Sequence, residues 1–134
     1  QYVDILGVDN YQDLKQDAGY LEAIRKLHIV INESKKRNKL AAFTETGLEN
    51  VTDPTWYPDQ LGAVLSDSLI LSEVSYVMVW RNDPKVHFFF PYPGHPAAYG
   101  AKALLDRERI FLLTDYNASK RKATSNAKKE PNHE

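Results

Sequence analysis

Glu45 is the residue of this chain whose type and position best suit chemistry. The apolar run 40–43 precedes it, and Gly47 follows two residues later. This pattern predicts a buried strand whose carboxyl end carries a carboxylate just before the chain turns. Ligands of α/β sheets bind at that edge of the sheet. A carboxylate there can be a nucleophile, a general base, a metal ligand or a salt-bridge partner, and residue type alone leaves all four roles open.

The same layout occurs twice more, as Asp-Asn-Tyr at 9–11 and as Trp-Arg-Asn at 80–82. Sugars stack on aromatic rings, and amides and carboxylates hold sugar hydroxyls. Glycoside hydrolysis in addition needs two carboxylates that flank the glycosidic bond. Three strands that each end in such groups predict a sugar-binding active site, of which this chain carries only a part.

Hydrophobic periodicity predicts an alternation of strands and helices. The predicted strands lie at 3–8, 39–45 and 74–80, and the predicted helices lie at 18–37, 57–71 and 97–105. This order predicts an α/β fold with a parallel sheet and right-handed crossovers. Three parallel strands alone would leave two hydrogen-bonding edges and an apolar face uncovered. We therefore expect a piece of a longer protein that completes a larger sheet, or a chain that self-associates through its open edges.

Composition excludes several classes of function. The chain has 134 residues, a net charge of −1 and no cysteine, so disulfides and thiol chemistry are excluded. The bulk charge favours neither nucleic acid nor membrane as a partner, and no apolar stretch is long enough to span a bilayer. We expect one domain at 1–116, followed by a polar, Lys-rich tail at 117–134.

The histidines give weaker signals. His28 lies beside the apolar face of the first predicted helix, which favours a structural role. His87 and His95 lie in or beside the loop after the third strand, and His95 could contact a substrate. No Cys or carboxylate spacing around them indicates zinc, so no metal site is predicted.

Five motifs together carry a resemblance to a known family. They are VDILGVDNY at 3–11, AFTETG at 42–47, WYPDQL at 56–61, VMVWRN at 77–82 and FPYPG at 90–94. In this order they resemble the C-terminal part of glycoside hydrolase family 26, which is dominated by endo-β-1,4-mannanases. The resemblance covers roughly 1–96 and fades after Pro96. It implies a partial (β/α)8 TIM barrel made of three consecutive βα units that correspond to strands six to eight.

The resemblance also assigns roles to residues of this chain. It implies that Glu45 is the catalytic nucleophile and that Tyr11 hydrogen-bonds it. The substrate-binding residues that it implies are Asp9, Tyr11, Trp56, Trp80, Arg81 and Asn82. Among these, Trp80 forms the floor under the reacting sugar, and Trp56 is a wall of the cleft. The family's general acid/base, a Glu at the end of strand four, would precede Gln1.

The function implied by the resemblance is retaining hydrolysis of β-mannan or manno-oligosaccharides by double displacement, in a secreted or periplasmic enzyme. No metal or organic cofactor is implied, and the partner is the N-terminal part of the barrel. Two alternatives stay open. The chain can be a non-catalytic half-barrel or carbohydrate-binding fragment, or the enzyme can be a related β-1,3-xylanase or mixed-linkage β-glucanase.

Overall fold

A computed structural model describes residues 2–127 of the protein. The chain divides into two compact units with the boundary between Leu104 and Leu105. The first unit contains the sheet and the candidate site. In the second unit a helix starts at Leu113, and the side chains from Phe111 to Lys120 are exposed.

The sheet has three parallel strands in the order β1-β2-β3, as the sequence predicts. The strands are β1 (Ile5–Asp9), β2 (Leu40–Thr46) and β3 (Val74–Val79). At the amino end Ile5 lies opposite Leu40, and at the carboxyl end Asp9 lies opposite Glu45, with a register shift just before Asp9. The predicted acidic positions of two strands therefore meet at one edge.

Helix α1 (Tyr20–Lys36) follows β1 and confirms the first predicted helix. It buries Ala23, Leu27 and Ile31, which recur at helical spacing on one face. The chain leaves the helix through Asn38, whose φ of 51° lies in the left-handed region that Asn tolerates. Asn38 therefore suits the position at which the chain leaves the helix.

The second predicted helix is interrupted. A π-helical turn (Tyr57–Leu61) leads into a short α2 (Gly62–Val64), and a separate α3 (Ser68–Glu73) follows. The break lies at Asp67, which adopts an extended conformation and accepts hydrogen bonds from the backbone N–H groups of Leu69 and Ile70. One continuous helix at 57–71 is therefore wrong, because Asp67 acts as an N-cap in its interior.

Two further helices complete the described chain. Helix α4 (Ala98–Leu105) confirms the third predicted helix. Helix α5 (Leu113–Ala127) extends into the segment predicted as a polar tail. The end of that tail, 128–134, lies outside the described residues, and the boundary at 116/117 stays a prediction. Within 2–127, no helix combines the length and the apolarity needed to cross a membrane.

The apolar side chains of the sheet are not all buried. Ala41 and Phe43 of the central strand are buried. In contrast, several large apolar side chains of the strands are at least 40% exposed, namely Ile5, Leu40, Tyr76 and Met78. Parallel sheets are normally covered on both faces, so these exposed apolar side chains give the sheet the form of a section of a larger layer.

Candidate functional site

A hydrogen bond joins the two residues at the centre of the predicted site. The Tyr11 hydroxyl donates to Oε2 of Glu45 over 2.9 Å. Burial raises the pKa of Tyr11 well above its usual range, and the hydrogen bond to Glu45 and the negative charges of Glu45 and Asp9 add to this. The phenol therefore keeps its proton and stays a hydrogen-bond donor to the carboxylate throughout the ordinary pH range.

The ends of β1 and β2 are tied together beside this pair. The backbone N–H of Asn10 donates to the carbonyl oxygen of Glu45 over 2.9 Å. In return the buried Thr46 hydroxyl donates to the carbonyl oxygen of Asn10, also over 2.9 Å. One bond joins two main-chain groups and the other joins a side-chain hydroxyl to a main-chain carbonyl oxygen, so together they fix the segment that carries Glu45 relative to the segment that carries Tyr11.

The turn that follows β1 holds Asn10 in place. It is almost fully buried, and its amide donates to Oδ2 of Asp13 over 2.6 Å. The same Asp13 oxygen accepts from Nζ of Lys26 over 2.6 Å. The pKa of Asp13 is lowered, chiefly by the hydrogen bond from Lys26. A charged pair between the turn after β1 and helix α1 therefore supports the β1 end of the site.

The third strand reaches the same edge through Trp80. The backbone N–H of Trp80 donates to the carbonyl oxygen of Thr46 over 2.9 Å, and Trp80 is half-buried. Because Thr46 directly follows Glu45, Trp80 lies one strand away from the carboxylate. The structure thus brings Asp9, Tyr11, Glu45 and Trp80 to one end of the sheet.

The two residues after Trp80 make local contacts. Arg81 is exposed and pairs with Asp83 over 3.0 Å. The pKa of Asp83 is lowered, first by the backbone N–H of Lys85 and then by Arg81. Asn82 uses its side chain on the loop, since its Oδ1 accepts from the N–H groups of Phe89 and Phe90 over 2.9 Å each. Its amide also donates to the carbonyl oxygen of Phe90 over 2.9 Å.

The structure does not place Trp56 in the site. Its side chain is buried, and its indole N–H donates to the carbonyl oxygen of Leu14 over 2.7 Å. The ring also packs edge-on against Tyr57 at 5.0 Å between centroids. Trp56 therefore has no surface to offer to a sugar and acts as a core residue of this unit.

Some residues at the site lack any clear signal in the sequence. Phe89 packs against Tyr11, with ring centroids 5.9 Å apart, and the same Phe89 lies against Gly47. Asn10 and Thr46 belong to predicted motifs, but their polar groups serve the strands and not a ligand. Across 2–127, the His, Asp and Glu residues form no group of three suited to a metal ion.

These elements first define the class of the protein. Consecutive strand–helix units with a parallel sheet, and with polar groups collected at its carboxyl edge, form part of a (β/α)8 barrel. Comparison with solved structures then gives the particular barrels that this chain is similar to, which are those of glycoside hydrolase family 26 proteins. The recognition made from the sequence motifs is therefore confirmed.

Three solved structures illustrate the similarity. GH26C from Muricauda sp. MAR_2010_75 is 29% identical, with a TM-score of 0.75 over 85% of this chain and 32% of that chain. A GH26 β-mannanase from Bacteroides ovatus is 32% identical, with a TM-score of 0.72 over 84% of this chain and 32% of that chain. An endo-β-1,4-mannanase double mutant from Cellulomonas fimi is 26% identical, with a TM-score of 0.73 over 85% and 26%.

This chain thus spans about a third or less of the structures it matches. No protein-family model matches the sequence, and comparison with curated proteins gives no match.

Proposed function

We propose that this chain is part of a retaining endo-β-1,4-mannanase in which Glu45 is the nucleophile. The observation that carries the proposal is the 2.9 Å hydrogen bond from Tyr11 to Glu45 at the carboxyl edge of the sheet. It is supported by the fold, which is shared with a GH26 β-mannanase and with an endo-β-1,4-mannanase.

The proposed reaction has two displacements. In the first, a carboxylate oxygen of Glu45 attacks the anomeric carbon while the glycosidic C–O bond breaks, and the departing oxygen takes a proton from the acid/base. In the second displacement, the acid/base removes a proton from water. That water attacks the anomeric carbon, and the bond between this carbon and Glu45 breaks. The products keep the configuration of the substrate.

The other groups of the site orient the reactants. Tyr11 holds the Glu45 carboxylate in one orientation through the hydrogen bond that joins the two side chains. Trp80 supplies the apolar platform under the sugar. Asp9 and Arg81 bind sugar hydroxyls, and Asn82 shapes the adjoining loop through the bonds that it makes to Phe89 and Phe90.

The acid/base is proposed to lie outside these 134 residues, on the N-terminal part of the barrel, which is also the partner that covers the open sheet face. A retaining enzyme needs two carboxyl groups about 5–5.5 Å apart. The chain by itself is therefore expected to give no turnover. Secretion of the full-length enzyme is proposed on the same resemblance.

A second candidate is a carbohydrate-binding chain without catalysis. It is favoured by one observation, namely that the chain spans about a third or less of the enzymes it matches, so that most of the barrel on which the acid/base is proposed to lie is outside it. The two candidates differ in one measurement, because only the enzyme hydrolyses mannan once the remainder of the barrel is present.

The test uses the full-length protein that carries this chain, assayed on β-mannan, β-1,3-xylan and mixed-linkage β-glucan. Glu45→Ala should reduce kcat by roughly four orders of magnitude or more while leaving glycan binding largely intact. Glu49→Ala is the matched control, because it removes an exposed carboxylate four residues away. Retained hydrolysis in Glu45→Ala would overturn the nucleophile assignment, and preference for xylan or glucan would overturn the substrate.

A further inference from the structure

Phe89 lies between the Tyr11 ring and Gly47, the residue two positions after Glu45. Its ring meets Tyr11 edge-on, with centroids 5.9 Å apart and an interplanar angle of 64°. On its other side it packs on Gly47, two residues after Glu45. A side-chain carbon on Gly47 would lie 2.6 Å from Cδ1 of Phe89, which is closer than carbon atoms approach.

Gly47 is adapted to this contact in its backbone. Its φ is 145°, a conformation that residues with a side chain rarely adopt. The chain therefore turns away from β2 so that the backbone and the Phe89 ring come into direct contact. The position of the Phe89 ring and the path of the chain after Glu45 thus depend on each other.

Phe89 is itself held firmly, although it lies in a long loop. The side-chain oxygen of Asn82 accepts from its N–H over 2.9 Å. The Tyr57 hydroxyl donates to its carbonyl oxygen over 2.7 Å. The side chain is 9% exposed, and His87 packs on it edge-on at 5.3 Å. With both backbone groups bonded and the ring buried, Phe89 has little freedom to move.

We propose that Phe89 is a positioning residue that sets the orientation of Tyr11 and thereby that of the Glu45 carboxylate. The inference rests on the proposed function and extends it to a residue that touches no substrate. The Tyr11 hydroxyl can reach Glu45 at 2.9 Å only if its ring stays at one angle. The edge contact with Phe89 limits that angle, because a ring that rotated or shifted towards Phe89 would collide with it.

Phe90 provides a matched control within the same loop. The backbone N–H of Phe90 also donates to Oδ1 of Asn82, but the Phe90 ring packs against Tyr57, with centroids 5.3 Å apart, and not against Tyr11. Loss of either ring removes packing from the same loop. A general loosening of the loop would therefore affect both variants alike, whereas a positioning role would affect only Phe89.

The experiment measures the first displacement in the full-length protein, with an aryl β-mannoside whose leaving group is good enough to need no protonation. Phe89→Ala should lower the rate of this step about tenfold with little change in KM, since small misplacements of reacting groups cost rate steeply. Phe90→Ala should stay within about twofold of the unchanged protein, and Phe89→Leu should recover most of the loss. In a Tyr11→Phe background, Phe89→Ala should add less than about twofold, because the two changes act on one bond.

The outcomes separate the inference from the function on which it rests. Equal losses in Phe89→Ala and Phe90→Ala, or a full additional loss in the Tyr11→Phe background, would overturn the positioning role while leaving the nucleophile assignment intact. If Glu45→Ala retains the first displacement, the proposed function itself fails. If Phe89→Ala does not fold, the same pair of measurements is made with Phe89→Val, which lacks the ring and is smaller than Leu, and equal losses with and without Tyr11→Phe would overturn the positioning role.

Discussion

The two halves of the candidate site are held in different ways. The Tyr11 half, which consists of Asn10, Tyr11, Glu45 and Thr46, is joined by bonds between residues 34 to 36 positions apart in the chain. The Arg81 half consists of Trp80, Arg81 and Asn82, and the side-chain hydrogen bonds of Arg81 and Asn82 reach no further than eight positions along the chain. The first half is therefore fixed by the tertiary structure, whereas in the second the side chains of Arg81 and Asn82 are held by their own loop.

Under the proposed function, this difference suggests that one half of the site serves catalysis and the other serves substrate binding. Groups that must keep one geometry in the transition state belong on a fixed part of the fold, because positional error costs rate. Groups that bind sugar hydroxyls tolerate more freedom. Changes in the Tyr11 half should therefore act on kcat, and changes in the Arg81 half should act on KM.

Tyr11→Phe should have the largest of the effects that test this comparison. It removes the hydroxyl that donates to Glu45 and keeps the ring that packs against Phe89. Loss of one hydrogen bond to a charged group corresponds to about 1.5–3 kcal/mol, or roughly 10- to 100-fold in kcat. Steady-state kinetics of the full-length protein on manno-oligosaccharides gives this value.

Tyr99→Phe is the control for that change. Tyr99 is 86% exposed, so loss of its hydroxyl removes no buried bond and should leave kcat and KM unchanged. A Tyr11→Phe variant that raised KM at constant kcat would place Tyr11 among the substrate-binding groups and would break the division between the two halves.

The sequence predicts much of this geometry for a clear physical reason. Three apolar runs separated by helical patterns imply parallel strands, and parallel strands bring their carboxyl ends to one edge. The meeting of Asp9, Glu45 and Trp80 at that edge therefore follows from periodicity. The bond between Tyr11 and Glu45 does not follow from it and came from the resemblance to family 26.

Other features depend on tertiary contacts that a pattern does not contain. An aromatic residue after a strand has the same signature whether its ring faces a cleft or the core, so the burial of Trp56 could not be predicted. Phe89 follows β3 by ten residues, and its place depends on bonds from Asn82 and Tyr57. Asp67 stands in a helical pattern, and only its extended conformation reveals that it starts a new helix.

Asp13→Asn should have an intermediate effect, on stability. It removes the charged partner of Lys26 and weakens the support of Asn10. We expect a loss of about 1 kcal/mol in the free energy of unfolding at neutral pH, a figure kept small because Lys26 is partly exposed and its charge is screened. Denaturant unfolding of the full-length protein at several pH values measures it.

The sign of the pH dependence follows from the lowered pKa of Asp13. A carboxyl group whose pKa falls below its ordinary 3.8 on folding stabilises the folded state above that pH. This contribution is lost as the pH falls through the lower, folded value, since Asp13 then becomes neutral in both states. The difference between the original protein and Asp13→Asn should therefore shrink in acid, and a difference independent of pH would contradict the charged pair.

Arg81→Ala should have the smallest effect on stability, because an exposed pair with Asp83 contributes little. We expect the free energy of unfolding to stay within experimental error of that of the unchanged protein. In the full-length protein KM for manno-oligosaccharides should rise about fivefold at unchanged kcat, a small effect because Arg81 is exposed and water and salt weaken its hydrogen bond to a sugar hydroxyl. Lys85→Ala removes an exposed positive charge four residues away and should change neither constant. If Arg81→Ala lowers kcat instead, Arg81 acts on the transition state, and the division of the site into a fixed half for catalysis and a local half for binding is wrong.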